Sequence, residues 1–191
     1  MYNTSIKEVI MRSIYIVLTF TGTFLATIIK GYTRKEFAHV SISLDKELEE
    51  MYSFGRLNPY NPFKGGFVHE HINSGTFGRF KNTTAEVYRV RVTETQYEKI
   101  KETIEKIEQN KKSYFFNYIG LFAVGVKKRI TFKDRFYCAE FVKYVLDQAG
   151  VGDNLPEIIS PEDFRMLDNK RSIYKGKLRE YRYRLKEKKV A

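Results

Sequence analysis

The sequence predicts an α+β domain in which helices pack on an antiparallel sheet. The segment "FAHVSISL", residues 37–44, alternates apolar and polar side chains, as a strand with two different faces does. The segment "AEVYRVRV", residues 85–92, predicts a further strand. A helix follows it directly, because Thr93 and Gln96 form a potential capping box. The apolar stripe of this helix has the helical spacing and consists of Tyr97, Ile100, Ile104 and Ile107. This mixture of elements indicates the α+β class.

The apolar segment "IYIVLTFTGTFLATII", residues 14–29, predicts a strand and a helix rather than a transmembrane segment. It has about 16 residues where a spanning helix needs roughly 20, and "TGT" interrupts it. No small-residue cleavage site of a signal peptide is evident. We expect a strand from Ile14 to Thr21, a turn at Gly22 and a helix from about Thr23 to Tyr32.

The length of 191 residues suits a single domain with a substantial core. Residues 1–11 fit no element and are expected to be a disordered extension, with either Met1 or Met11 as the start. The domain is then expected to span 12–191 and to end in a basic C-terminal segment, 170–191.

The remaining elements follow from turn residues and periodicity. The segment "DKELEE" predicts a turn, "EMYSFGRL" a second strand, "NPYNPFKGG" a loop and "GFVHEHI" another strand. The segment "SYFFNYIGLFAV" predicts a short helix over the core. A further helix runs from Tyr137 to a glycine cap at Gly150, and Ser160 and Pro161 open another as N-cap and first helical residue.

The formal net charge of +11 is concentrated near the C-terminus. Residues 170–189 carry ten Lys or Arg against two Glu. Within them, "KLREYRYRLK" alternates imperfectly and predicts a strand. Two interpretations remain open. The segment either binds an anionic partner or is a solvated edge strand, on which lysines block aggregation. No specific nucleic-acid motif accompanies the charge.

The chain has one cysteine, Cys138, in "RFYCAEFVKYVLDQAG". A lone cysteine excludes an intramolecular disulfide and suits a reducing, cytoplasmic compartment. Its predicted place at the start of a helix favours a thiolate, because free backbone N–H groups and the helix dipole stabilise negative charge there. The alternative is a small buried apolar residue.

A catalytic thiol needs a base, and three histidines are present. His39 lies at the start of a predicted strand, on the face that carries Ser41 and Ser43. An imidazole on a strand that meets a thiol at a helix N-terminus is the arrangement of papain-like enzymes. His69 and His71 alone do not make a metal site, so neither a metal nor a cofactor is expected.

Taken in order, "TGT", "HVSISLD", "YSFGR" and "YCAEFV" resemble the circularly permuted branch of the NlpC-type, papain-like superfamily. YiiX-like proteins and lecithin:retinol acyltransferase belong to this branch, in which the histidine precedes the cysteine in the chain. The resemblance covers roughly residues 12–165. It implies the permuted papain-like fold, with the nucleophile at Cys138 and the base at His39.

The resemblance also implies a polar residue on the next strand that orients the imidazole. If "LDKEL" makes the turn, Leu44 pairs near Leu48 and Ser53 lies opposite His39; a register slip gives the role to Tyr52. Tyr137 is a candidate for the oxyanion, together with the Cys138 N–H, unless its ring only packs. Arg56 is a candidate contact for a substrate carboxylate or phosphate, unless its loop serves only to turn the chain.

The predicted function is therefore a thiol hydrolase or acyltransferase acting on an amide, thioester or ester. The resemblance suggests peptide, isopeptide or lipid-acyl substrates without choosing among them. The alternative is a non-enzymatic binding domain on the same fold, which holds an anionic partner through the basic C-terminal segment.

Overall fold

The computed structural model describes residues 9–22, 35–125 and 127–190 and has a six-stranded antiparallel sheet as its centre. The strand order is β4-β3-β2-β1-β5-β8. Two short strands, β6 and β7, form a separate parallel pair. The strands are β1 Met11–Phe20, β2 His39–Ser43, β3 Met51–Asn58, β4 Asn61–Glu70, β5 Thr84–Thr93, β6 Phe115–Phe116, β7 Arg135–Phe136 and β8 Lys170–Lys177.

Five α-helices are described, and three short 3₁₀ turns lie between them and the strands. The helices are α1 Gly75–Arg79, α2 Glu94–Gln109, α3 Tyr118–Gly125, α4 Cys138–Gln148 and α5 Tyr181–Val190, and the 3₁₀ turns are Lys111–Ser113, Pro161–Met166 and Leu178–Glu180. Over the part of the chain that is described, no helix has the length and apolar character needed to cross a membrane. The predicted α+β class with a mostly antiparallel sheet is confirmed.

Strand β1 is apolar from Ile14 to Leu18 because both of its faces are buried there. Ile14, Ile16 and Leu18 belong to the larger core, under helices α2 and α4. Tyr15 and Val17 belong to a smaller core on the other face of the sheet. A central strand that is covered on both sides has no polar alternation, which explains why this segment resembles a membrane span in sequence.

The predicted capping box of Thr93 and Gln96 is confirmed, since the Gln96 N–H donates to Thr93 Oγ1 at 3.2 Å and the Thr93 N–H to Gln96 Oε1 at 3.0 Å. Strand β1 begins at Met11, and the Glu94 N–H donates to the Ile10 carbonyl at 2.9 Å. Most of the predicted extension, residues 1–8, and the predicted helix from Thr23 to Tyr32 lie outside the described residues.

Two predicted elements are wrong. The predicted loop "NPYNPFKGG" is largely strand, and the turn between β3 and β4 is confined to Pro59 and Tyr60. The predicted strand over "KLREYRYRLK" is helical beyond residue 177, where β8 ends and α5 soon begins. Leu178 and Tyr181 are fully buried, and their spacing of three residues places both on one side of a helix. Strand β8, which precedes the predicted strand in the chain, lies at the edge of the sheet.

Candidate active site

Helix α4 places Cys138 in its first turn. Tyr137, the preceding residue, is extended, with φ −96° and ψ 173°, and the helix starts after it. The Glu140 carboxylate accepts from the Tyr137 N–H at 3.2 Å and from Asn117 Nδ2 at 3.0 Å. These bonds fix where the helix begins, and so they fix Cys138 at a position where backbone N–H groups lack intrahelical partners.

Strand β2 places His39 at its first residue, paired with Thr19 of β1. About 20% of the His39 side chain is exposed, so the ring is mostly buried but reaches the surface. The segment that leads into β2 is held by the 3₁₀ turn Pro161–Met166: the Phe37 N–H donates to Glu162 Oε1 at 2.7 Å, and Lys35 Nζ contacts Asp163 Oδ1 at 2.8 Å. These contacts fix the position of the imidazole relative to the helices.

Cys138, His39 and Glu70 form a connected row. His39 Nε2 lies 3.1 Å from Glu70 Oε1, and Cys138 is close enough to the same imidazole to contribute to its raised pKa. Because Nε2 faces the carboxylate, Nδ1 is the ring nitrogen left for the sulfur. The second Glu70 oxygen accepts a hydrogen bond from Ser41 Oγ. A thiol, an imidazole and a supported carboxylate in this order have the connectivity of a nucleophile, base and orienting group.

The electrostatic surroundings favour the charged form of His39. Burial by itself lowers the pKa of the imidazole. The charge of Glu70, hydrogen bonds to Cys138 and Glu70, and the charge of Cys138 outweigh that effect and raise the pKa of His39 to about 10. His39 is therefore an imidazolium at neutral pH.

Cys138 is buried, with 4% of its surface exposed, and its neighbours include members of the larger core. Its contribution to the raised pKa of His39 distinguishes it from an ordinary buried cysteine, which packs as a small apolar residue.

Neither Ser53 nor Tyr52 holds the imidazole, and the predicted hairpin register is wrong. Ile42 pairs with Tyr52, and extending that register by three residues places Gly55, not Ser53, opposite His39. Within the described part of the chain, Ser53 Oγ is buried and has no hydrogen-bond partner. The Tyr52 ring stacks on His69, with 4.7 Å between ring centroids.

Glu70, on the far strand of the hairpin, occupies the orienting position that the sequence analysis missed. It reaches His39 across Gly55, where a Cβ atom would lie 3.5 Å from both Glu70 Oε1 and His39 Cε1. The sequence offers one signal for it: an acidic residue ends a strand, and a glycine in the strand between leaves the space open. Glu70 is the middle residue of "HEH", a pattern that in sequence suggests a metal site instead of an orienting carboxylate.

The remaining candidates have other contacts. The Tyr137 hydroxyl donates to the Ile159 carbonyl at 2.8 Å, and burial, followed by the charge of Glu140, raises its pKa. Its proton is thus directed into the protein, as the packing interpretation expected. Arg56 lies within β3 rather than in a loop, with its guanidinium 5.8 Å from the Phe80 ring centroid.

His69 and His71 lie side by side, but within the described residues no third metal-binding side chain joins them. The rings of His69 and His71 lie 4.5 Å apart, and His69 Nε2 contacts the Glu49 carbonyl at 2.7 Å. Among residues with described positions, no group of three or more His, Cys, Asp or Glu side chains is arranged to hold a metal ion.

The chain has no significant match to any protein-family model, curated protein or solved structure. The resemblance to the permuted papain-like branch therefore rests on the residues themselves, and the chemistry of the site has to be argued from its geometry.

Proposed function

We propose that the protein is a thiol hydrolase or acyltransferase of the permuted papain-like type. Cys138 is the nucleophile, His39 the acid and base, and Glu70 the group that orients the imidazole. One observation carries the proposal: the only cysteine of the chain starts a helix and helps to raise the pKa of an imidazole that a buried carboxylate holds at 3.1 Å.

The first half of the reaction transfers an acyl group to sulfur. The Cys138 thiolate attacks the carbonyl carbon of an amide, ester or thioester, and the carbonyl oxygen becomes an oxyanion. The Cys138 backbone N–H, in the first helical turn, is available to donate to it. The His39 imidazolium then gives its proton to the leaving amine, alcohol or thiol as the old bond breaks. The product is an S-acyl thioester and a neutral imidazole.

The second half returns the site to its starting state. Neutral His39 takes a proton from water or from an acceptor alcohol, amine or thiol, whose heteroatom attacks the thioester carbonyl. The carbon–sulfur bond breaks, Cys138 leaves as a thiolate, and His39 is again an imidazolium. Water yields a carboxylic acid, and any other acceptor yields a transferred acyl group; peptide, isopeptide and lipid-acyl substrates all fit this scheme.

Because the chain has one cysteine, thiol reagents report on Cys138 alone. We expect iodoacetamide to alkylate the native protein near neutral pH faster than it alkylates a free model thiol, since the imidazolium holds the thiolate. Intact mass spectrometry should also detect one acyl adduct from a panel of peptidyl and fatty-acyl electrophiles, and none in Cys138→Ala. The matched control is His39→Ala, which keeps the thiol but removes its partner and should react slowly. Equal rates for native protein and His39→Ala would show that Cys138 is a structural residue.

A further inference from the structure

An exposed apolar surface surrounds helix α3 and lies beside the start of the cysteine helix. We call it the α3 face and define it by six exposed side chains: Phe63, Phe115, Ile119, Phe122, Ile130 and Phe132. Phe63 is 85% exposed and Phe122 57%. Contiguous exposed apolar surface of this kind marks an interaction site, whereas scattered single residues do not.

The face is continuous because four segments meet there. A Cβ atom on Gly65, near the tip of the β3–β4 hairpin, would lie 2.8 Å from the Phe116 ring, so the hairpin packs directly on β6. The Arg135 guanidinium lies 5.8 Å from the Phe115 ring and 5.3 Å from the Phe132 ring. Asn117 Nδ2 donates to the Ile130 carbonyl at 2.9 Å, which joins the loop after α3 to the start of that helix.

The charge on and around this face is mostly positive. Helix α3, "YIGLFAVG", has no charged residue and leads into Lys127, Lys128 and Arg129. Residues 115–135 contain five Lys or Arg and one acid, Asp134. Glu157 also lies there, in an ion pair with Arg129.

We propose that the α3 face docks on a membrane surface that contains anionic phospholipid. Bulky apolar side chains that enter the headgroup boundary, next to lysines and arginines that meet lipid phosphates, are the composition of a peripheral membrane contact. A second copy of the chain fits less well, because a shared face would bring the two sets of cations together. Four of the six side chains are phenylalanines, on which bases can stack, so a single-stranded nucleic acid is the competing partner; the aliphatic Ile119 and Ile130, which offer no ring to a base, favour the membrane. The inference concerns binding and does not depend on the chemistry of Cys138.

The absence of tryptophan from the chain allows a direct test. Phe122→Trp introduces a single fluorophore on the α3 face, and Tyr183→Trp introduces one at an exposed site on α5. We expect phosphatidylcholine vesicles that contain phosphatidylglycerol to shift the emission of Phe122→Trp to shorter wavelength. The same vesicles should leave Tyr183→Trp unshifted, and pure phosphatidylcholine should act only weakly.

Co-sedimentation with the same vesicles separates this face from the basic C-terminal segment. Lys127→Gln/Lys128→Gln should weaken partitioning by about fivefold for each lysine, and Phe122→Ser should weaken it as well. The matched control, Lys177→Gln/Lys186→Gln, removes two exposed lysines from the C-terminal segment and should have little effect.

Several results would overturn the inference. An unshifted Phe122→Trp spectrum, or a control double variant that binds vesicles as weakly as Lys127→Gln/Lys128→Gln, excludes the α3 face as the membrane contact. Binding of a single-stranded oligonucleotide that Phe122→Ser abolishes, without vesicle binding, assigns the face to nucleic acid. A concentration-dependent dimer in sedimentation velocity that Phe122→Ser dissociates assigns it to a second copy.

Discussion

At the scale of single residues, two buried serines on the same side of the sheet have different surroundings. Ser41 Oγ donates to the Glu70 carboxylate, whereas Ser53 Oγ has no partner among the described residues. A hydrogen bond to a charged group stabilises more than one between neutral groups, and a buried hydroxyl without a partner has a desolvation cost. The two serines therefore form a matched pair for testing what supports the carboxylate.

We expect Ser41→Ala to lower the rate of Cys138 acylation and Ser53→Ala to leave it nearly unchanged. Loss of the bond to Glu70 should cost about 1.5 to 3 kcal/mol, which corresponds to a ten- to hundredfold lower rate if it acts fully through the imidazole. The measurement is single-turnover acylation, with urea unfolding of both variants as the control for folding. If Ser53→Ala lowers the rate strongly and Ser41→Ala does not, the residue that orients the imidazole is Ser53 of β3 and not Glu70.

Glu70→Gln should shift the pH dependence of acylation as well as lower its rate. The substitution keeps the shape of the side chain but removes the charge that raises the pKa of His39 towards about 10. The pKa of His39 then falls, so the ring loses the proton that the leaving group needs at a lower pH than in the native protein. We expect the alkaline limb of the acylation profile to move to lower pH in Glu70→Gln. An unmoved limb would mean that Glu70 does not control the protonation of His39.

The sequence was sufficient to single out Cys138 and His39, because each lies at the start of an element with a clear period. Glu70 was not predictable in the same way. Its role depends on the register of β4 against β3 and on the lack of a side chain at Gly55, both of which are tertiary facts. A register error of two residues keeps every side chain on its face, so the hydrophobic pattern did not expose the error.

At the scale of elements, alanine substitution at two glycines of the β3–β4 hairpin should reduce stability by different amounts. A Cβ atom on Gly65 would lie 2.8 Å from Cγ of Phe116, closer than packed atoms come, whereas one on Gly55 finds no atom nearer than 3.4 Å. We expect Gly65→Ala to reduce the free energy of unfolding by about 1 to 3 kcal/mol, because β6 must move away. Gly55→Ala should have a smaller effect on stability. Urea unfolding measures both, and equal losses would contradict the close contact between β4 and β6.

Each of the two wrong predictions of secondary structure has a physical cause in the packing of its own segment. Strand β4 tolerates Pro62 because it is an edge strand, and its glycines are needed where Phe116 and Leu57 pack against the backbone. Proline and glycine therefore mark close packing here, although in sequence they indicate a loop. In the C-terminal segment, the buried positions Leu178 and Tyr181 followed a helical spacing, which an imperfect two-residue alternation concealed.

At the scale of the whole molecule, the site depends on elements that are distant in sequence. The segment before β2 is tied to the 3₁₀ turn Pro161–Met166, where Arg165 lies 2.7 Å from Glu86 of β5 and 3.0 Å from Glu36. Glu36 also pairs with Lys175 of the edge strand β8 at 2.9 Å. The surroundings that set the pKa of His39 therefore exist only when the whole domain is folded. Because the pKa differs between the folded and unfolded states, the free energy of unfolding should depend on pH.

The pH dependence is best measured in Cys138→Ala, since Glu70 is then the one remaining residue of the two that raise the pKa of His39. Glu70 favours the charged imidazole in the folded state, whereas an unfolded chain releases the proton near pH 6.5. The stabilising effect of Glu70 is complete below that pH and is lost as the pH rises through the pKa of His39 in the folded variant, with a slope of at most about 1.4 kcal/mol per pH unit. In Cys138→Ala/Glu70→Gln only burial acts strongly on the ring, and burial favours neutral His39.

We therefore expect the free energy of unfolding of Cys138→Ala to exceed that of Cys138→Ala/Glu70→Gln most at about pH 6, and the difference to shrink at higher pH. Urea unfolding at a series of pH values gives this difference directly, and groups that both variants share cancel in it. A difference that stays constant with pH would mean that Glu70 stabilises the fold through Ser41 alone. A difference that grows with pH would mean that the folded protein prefers neutral His39, and the imidazolium required for the proposed acylation would then be absent.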